Sequence, residues 1–167
     1  MTHRLPLLAW VLGLGGLIPF VALGIGATTM QQDWAARALL GLLGYGACIL
    51  SFLGAVHWGL GFAEFGYAAA PGAPQAASIL QARLVLGVVP SLIGWAALLV
   101  AFLGLPSVAL AVLIAGFIAT VIIEAQANRR GLLPPGYIWL RWVLSAGVIV
   151  VLTAAALSLV TGQRIMF

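Results

Sequence analysis

Apolar residues run through this chain in long unbroken stretches, with only brief polar punctuation between them. Five stretches, at residues 5–28, 38–62, 84–103, 108–125 and 138–160, are long enough for helices that cross a membrane. A hydrocarbon core of about 30 Å needs about 20 apolar residues of helix. The runs are continuous rather than alternating, and too long for tilted barrel strands. Inside lipid a helix satisfies each backbone group within its own segment. The pattern therefore predicts an all-α integral membrane protein, a bundle of five transmembrane helices in one domain over residues 1–167.

The connections are short. Residues 30–37 form a polar turn, and Gly104-Leu105-Pro106 a tight one with Pro106 placed to start a helix. Arg129-Arg130-Gly131 followed by Pro134-Pro135-Gly136 reads as a helix stop and a rigid turn. Residues 64–83 make the one sizeable loop, whose Ala-Ala-Ala-Pro-Gly-Ala-Pro at 68–74 reads as a flexible connector. His3 and Arg4 give the first stretch a basic start, but it is too long for a cleaved signal peptide. Pro6 and Pro19 fit a helix start and a kink.

Composition agrees. Hydrophobic residues make up 64% of the 167 and charged ones 6%, against about 25% charged in a soluble domain. The net charge of +4 comes from seven Arg, with no Lys, against Asp33, Glu64 and Glu124. No exposed basic domain exists to bind nucleic acid, so the arginines are read as orientation signals. Arg4, Arg83, Arg129, Arg130 and Arg141 fall on one side; Arg37 and Arg164 fall on the other. That asymmetry predicts a cytoplasmic N-terminus and a periplasmic C-terminus in a bacterial inner membrane. The lone Cys48 lies in an apolar run and reads as a small buried packing residue.

The second stretch repeats small residues every four positions: Ala47, Ser51, Ala55, Gly59 and Ala63. Such a ribbon lets helix backbones approach closely in lipid. Gly54, His57, Gly61 and Glu64 lie on nearly the opposite face, which predicts a helix packed on two sides and central in the bundle. Ala111, Ala115 and Ala119 repeat the device in the fourth stretch, and Ala146, Ala154 and Ser158 in the fifth.

Trp10, Trp34, Tyr67, Tyr137, Trp139 and Trp142 sit near segment ends, as an aromatic belt requires. Trp58 and Trp95 lie deeper. Ionisable residues at membrane depth are the functional candidates, because an unpaired charge there is unfavourable. His57, Glu64, Arg83, Glu124 and Arg141 are predicted at similar depth, with Glu124 and Arg141 as an ion pair and His57 near enough to join them. The candidate ligand or ion-pair cluster is His57, Trp58, Arg83, Trp95, Glu124 and Arg141. No second His of comparable depth supports haem, no Cys/His cluster supports zinc, and no nucleotide loop or nucleophile elbow is present. The sequence assigns no catalytic or metal-binding residue, and it leaves any cofactor unknown.

The block from Tyr45 to Gly59, Tyr-Gly-Ala-Cys-Ile-Leu-Ser-Phe-Leu-Gly-Ala-Val-His-Trp-Gly, resembles the signature of a family of small membrane proteins of unknown function. That family includes animal transmembrane protein sixty-nine. Gly13-Leu14-Gly15-Gly16-Leu17-Ile18-Pro19-Phe20, Pro90-Ser91-Leu92-Ile93-Gly94-Trp95 and Leu140-Arg141 extend the resemblance over nearly the whole chain. It implies a membrane fold and an inner-membrane compartment, bacterial or mitochondrial, and no activity. The family pattern admits Arg where this chain has His57 and favours Asp where it has Glu124. Arg neither ligates metals nor shuttles protons near neutral pH, so the resemblance implies hydrogen bonding or positive charge at position 57.

Three functions follow as expectations. The first is a non-enzymatic interaction protein, an accessory, assembly or stabilising subunit of a larger inner-membrane complex. Its partners would be membrane lipids, and other membrane proteins or a second copy of itself. The second is a binding module or small carrier for a lipid, quinone or similar amphiphile near the cytoplasmic leaflet. The third is a membrane enzyme using His57 and Glu124.

Overall fold

Lipid offers the backbone no hydrogen-bonding partner, so each apolar run closes its own ladder of helical bonds. The computed structural model describes residues 6–68, 74–131, 133 and 136–161, the side chains of 64–68 and 74–77 excepted. Among these residues there is no strand. The helices are α1 (Leu7–Gly15), α2 (Leu17–Thr29), α3 (Gln32–Ala68), α4 (Pro74–Phe102), α5 (Pro106–Arg129) and α6 (Tyr137–Val160). With α1 and α2 taken together, they supply five spans long and apolar enough to cross a membrane.

The first span is interrupted where the sequence predicts a kink. Pro19 has no N–H to give the carbonyl of Gly15. The Gly16 N–H contacts the carbonyls of Leu12 and Gly13 at 3.0 and 3.1 Å, a locally tightened turn. From α3, the Tyr45 hydroxyl donates to the Gly16 carbonyl at 3.0 Å. The break is thus tied to its neighbour.

Helices outrun their apolar runs. Residues 30–37 are mostly helix, since α3 begins at Gln32 with Asp33 in its first turn, where the helix dipole favours an acid. The sizeable loop expected at 64–83 is also mostly helix: α3 continues to Ala68 and α4 starts at Pro74. The remaining connector, 69–73, lies outside the described residues, as do Pro134 and Pro135 of the expected rigid turn. Good helix formers extend each element beyond the point where hydropathy drops.

In space the helices follow one another in a ring, α2 against α3, α3 against α4, α4 against α5, α5 against α6, and α6 back against α2. A further contact joins α3 and α5 across it. Both therefore hold the centre. The core is Leu39, Leu42, Leu43 and Leu50 of α3 with Leu110, Leu113 and Phe117 of α5, closed by Phe20 and Leu152. Phe20 meets Tyr45 and Phe117 edge-on, at centroid distances of 4.9 and 6.2 Å.

The expected small-residue ribbon is split by the structure. Ala47 is buried against α4, where a Cβ on Gly94 would lie 3.0 Å from the Ala47 Cα. Ser51 is half-buried and returns its hydroxyl to the Ala47 carbonyl. Ala55, Gly59 and Ala63 face outward, with nothing near a Cβ placed on Gly59. Close approach uses the other face instead. A Cβ on Gly54 would overlap the Gly87 carbonyl oxygen, and one on Gly87 would overlap the Trp58 ring. Ala111, Ala115, Ala146 and Ala154 are likewise exposed, and Cys48 faces outward rather than into the core.

Candidate functional site

Alternation of the spans brings the start of α1, the end of α3, the start of α4, the end of α5 and the start of α6 to one end of the bundle. Glu124 lies five residues before the end of α5, roughly 7–8 Å inside it at the helical rise. Arg141 lies four residues into α6, roughly 6 Å deep. The turn between them reverses through Gly131 and Gly136, whose φ values of 70° and 81° suit residues without a Cβ. The two side chains are thereby aimed at each other across the hairpin.

They form a buried ion pair. Arg141 Nε donates to Glu124 Oε2 at 2.6 Å, with the residues 4% and 1% exposed. The second carboxylate oxygen, Oε1, accepts from the Tyr137 hydroxyl at 3.3 Å. His57 of α3 and Arg83 of α4 are 6% and 7% exposed. His57 lies within electrostatic reach of Glu124, Arg83 and Arg141. Four helices thus contribute His57, Arg83, Glu124 and Arg141, one each, to a single buried cluster. Removing one member of such a buried pair is costly, because it leaves the other charge uncompensated.

Other candidates belong elsewhere. Trp58 packs on Gly87, stacks edge-on with Phe62 and donates its indole N–H to the Leu84 carbonyl at 2.9 Å, locking α3 to α4. Trp95 is 60% exposed on the outer surface and lies twelve residues along α4 from Arg83, roughly 18 Å away. It is no part of the cluster. The side chain of Glu64 lies outside the described residues, as do His3, Arg4 and Arg164. Among the described residues no three of His, Cys, Asp and Glu come together as metal ligands would.

Two clefts flank the cluster. The first, about 160 Å³, lies between α3, α4 and α5; His57, Arg83, Gln126 and Arg130 line it together with Leu60, Ile79, Leu86 and Ile123. The second, about 130 Å³, lies on the side of α1, α2 and α6, with Arg141 and Ser145 set in an otherwise apolar wall that includes Phe20, Phe52 and Phe117. Tyr137, Ser145, Gln126 and Arg130 escape the sequence reading as site residues. A signal existed for some of them. Thr120 precedes Glu124 by four and Ser145 follows Arg141 by four, so each helix carries a short inward polar stripe.

Comparison with known proteins gives a family and no activity. Transmembrane protein 69 of Xenopus tropicalis is 36% identical over 91 residues, which is 54% of this chain and 32% of that protein. The chain therefore matches about a third of the length of that curated relative. No solved structure matches it. The model of a family described as a protein of unknown function, DUF3429, matches residues 5–157, nearly the whole chain including every element of the cluster. This protein, with its buried Glu124–Arg141 pair between two clefts, belongs to the DUF3429 family.

Proposed function

We propose that the protein is a membrane-embedded binding module for an amphiphile with an anionic headgroup, held in the cleft between α3, α4 and α5. The observation that carries this reading is the composition of the cleft. Three basic or imidazole side chains, His57, Arg83 and Arg130, line a space whose remaining wall is largely apolar. Arg130 is exposed at the rim while His57 and Arg83 are buried, so polarity continues from the membrane interface inward. A headgroup oxygen would be bound at Arg83 and Arg130, and the hydrocarbon would lie along Leu60, Leu86 and Ile123. Arginine asymmetry supports a cytoplasmic position for this end, in a bacterial inner membrane with the N-terminus inside. Purification in mild detergent followed by native mass spectrometry tests the reading. A bound anionic amphiphile, reduced at least tenfold in Arg83→Gln/Arg130→Gln, is the expected result. Loss of neither charge affecting the bound species, or no bound species at all, would overturn it.

An accessory or self-associating role is a second reading, carried by the outward face of Ala55, Gly59 and Ala63 on α3. Small residues there leave a smooth groove for another helix. A stoichiometric membrane partner that co-purifies with the wild type and is lost from Gly59→Leu supports it; a monomer without partners at every detergent level does not.

A further inference from the structure

Cavities in membrane helices are common, but buried polar atoms without partners are not. The cleft beside α6 holds two. Arg141 Nη2 and Ser145 Oγ are buried and have no hydrogen-bond partner among the described residues, in residues only 4% and 3% exposed. Both residues line the same space. The serine is the more telling. Ser51, Thr120 and Ser158 return their hydroxyls to carbonyls of their own helices, the usual way such a group is satisfied in lipid. Ser145 does not, although leaving a buried hydroxyl unsatisfied is unfavourable.

We propose that this cleft is a second binding site, for a neutral amphiphile whose carbonyl oxygen accepts hydrogen bonds from Arg141 Nη2 and Ser145 Oγ. Charge selects a neutral group. Glu124 already compensates the guanidinium through Nε, so Nη2 offers a directed donor rather than an unmet positive charge. Arg141 Nη2 is a donor and the Ser145 hydroxyl can turn to donate, and a carbonyl oxygen, with two lone pairs, can accept from both on the wall of one cleft. Size and lining select the rest. An apolar cavity of about 150 Å³ stays dry and takes up a benzene-sized ring, and this one, about 130 Å³, is walled by Leu12, Leu17, Phe20, Phe117 and Val148. Phe52, exposed at 65%, also lines it, so the cleft communicates with the lipid-facing surface. A ring carbonyl of a quinone and an ester carbonyl of an acyl lipid share this chemistry. The site is separate from the cleft of the proposed headgroup and stands whether or not that one is occupied.

The test uses the full chain in detergent, titrated with decylubiquinone, with methyl laurate and with dodecane, reading bound stoichiometry and thermal stability. Saturable binding of either carbonyl compound, and at least fivefold weaker binding of dodecane, is expected; which of the two binds identifies ring or ester. Ser145→Ala removes one donor and should weaken binding roughly 3–10-fold, as for the loss of about one hydrogen bond. The same variant should leave the ligand-free protein as stable as the wild type or slightly more so, because its hydroxyl is unsatisfied there. Leu144→Phe, on the cleft wall, should block uptake, and Thr153→Ala, on the exposed face of α6, should bind as the wild type does. Equal binding of dodecane, or unchanged affinity in Ser145→Ala, would overturn the proposal.

Discussion

Removing one partner of the Glu124–Arg141 pair is expected to destabilise the protein about as much as removing both. The two residues are 1% and 4% exposed and meet at 2.6 Å. At an effective dielectric of about 20, unit charges 4 Å apart attract by about 4 kcal/mol, most of which offsets the desolvation of both groups. In Glu124→Gln the amide oxygen can still accept from Arg141 and the Tyr137 hydroxyl can turn to accept from the amide N–H, yet the guanidinium loses its counter-charge. Breaking a buried pair this way runs to about 3–5 kcal/mol, and the surviving hydrogen bonds put this variant near about 3. Arg141→Gln strands the carboxylate and should be comparable. The double variant leaves neither charge, so its loss is confined to hydrogen bonds and packing, again about 3 kcal/mol. The cycle then yields a coupling energy of about 3 kcal/mol, at the upper end for contacting residues. Reversible unfolding in mixed micelles with increasing dodecyl sulfate, followed by circular dichroism, measures all four proteins. Losses that add to within about 0.5 kcal/mol would refute the pair as an energetic unit.

Gly54→Ala should unfold or severely destabilise the protein, since its Cβ has only the Gly87 carbonyl to displace, whereas Gly59→Ala should lie within about 0.5 kcal/mol of the wild type in the same unfolding assay. Tyr137→Phe removes only the 3.3 Å hydrogen bond to Glu124 and should lower stability by about 0.5–1 kcal/mol, well below the loss in Glu124→Gln. A reporter fused after Phe167 in a bacterial host should be active in the periplasm; an exclusively cytoplasmic signal would reverse the orientation.

The spans and the ion pair were legible because lipid imposes strong, local rules. Twenty apolar residues make a helix, and a carboxylate at depth needs a cation on a neighbouring helix at the same depth, which left Arg141 or Arg83 for Glu124. Which face of α3 meets the bundle was not legible. Small residues occupy both of its sides, and spacing alone cannot say that the Gly54 side meets Gly87 while the Gly59 side is left open. Trp95 misled for a related reason, because depth along a helix says nothing about the direction a side chain takes around it. The clefts were invisible, the first being made where α3, α4 and α5 meet and the second where α6 closes on α2 beside the helix break at Gly16, rather than by any local pattern. Ser145 was hidden too, since an unmet hydroxyl is a fact of tertiary structure.

Glu124 and Arg141 face each other within one hairpin, seventeen residues apart and joined by a single short turn. That bears on how the chain enters the bilayer during synthesis. Neither α5 nor α6 alone reaches lipid without a buried charge near its end, but in the two together the buried charges of Glu124 and Arg141 neutralise each other. Partition as a helical pair therefore carries a smaller barrier than helix-by-helix release. The α3–α4 hairpin is similarly sealed by Trp58 on Gly87 and its bond to Leu84. Biogenesis can then proceed by docking two preformed hairpins, with the broken first span closing the ring, so that the polar cluster is completed only when both hairpins have met.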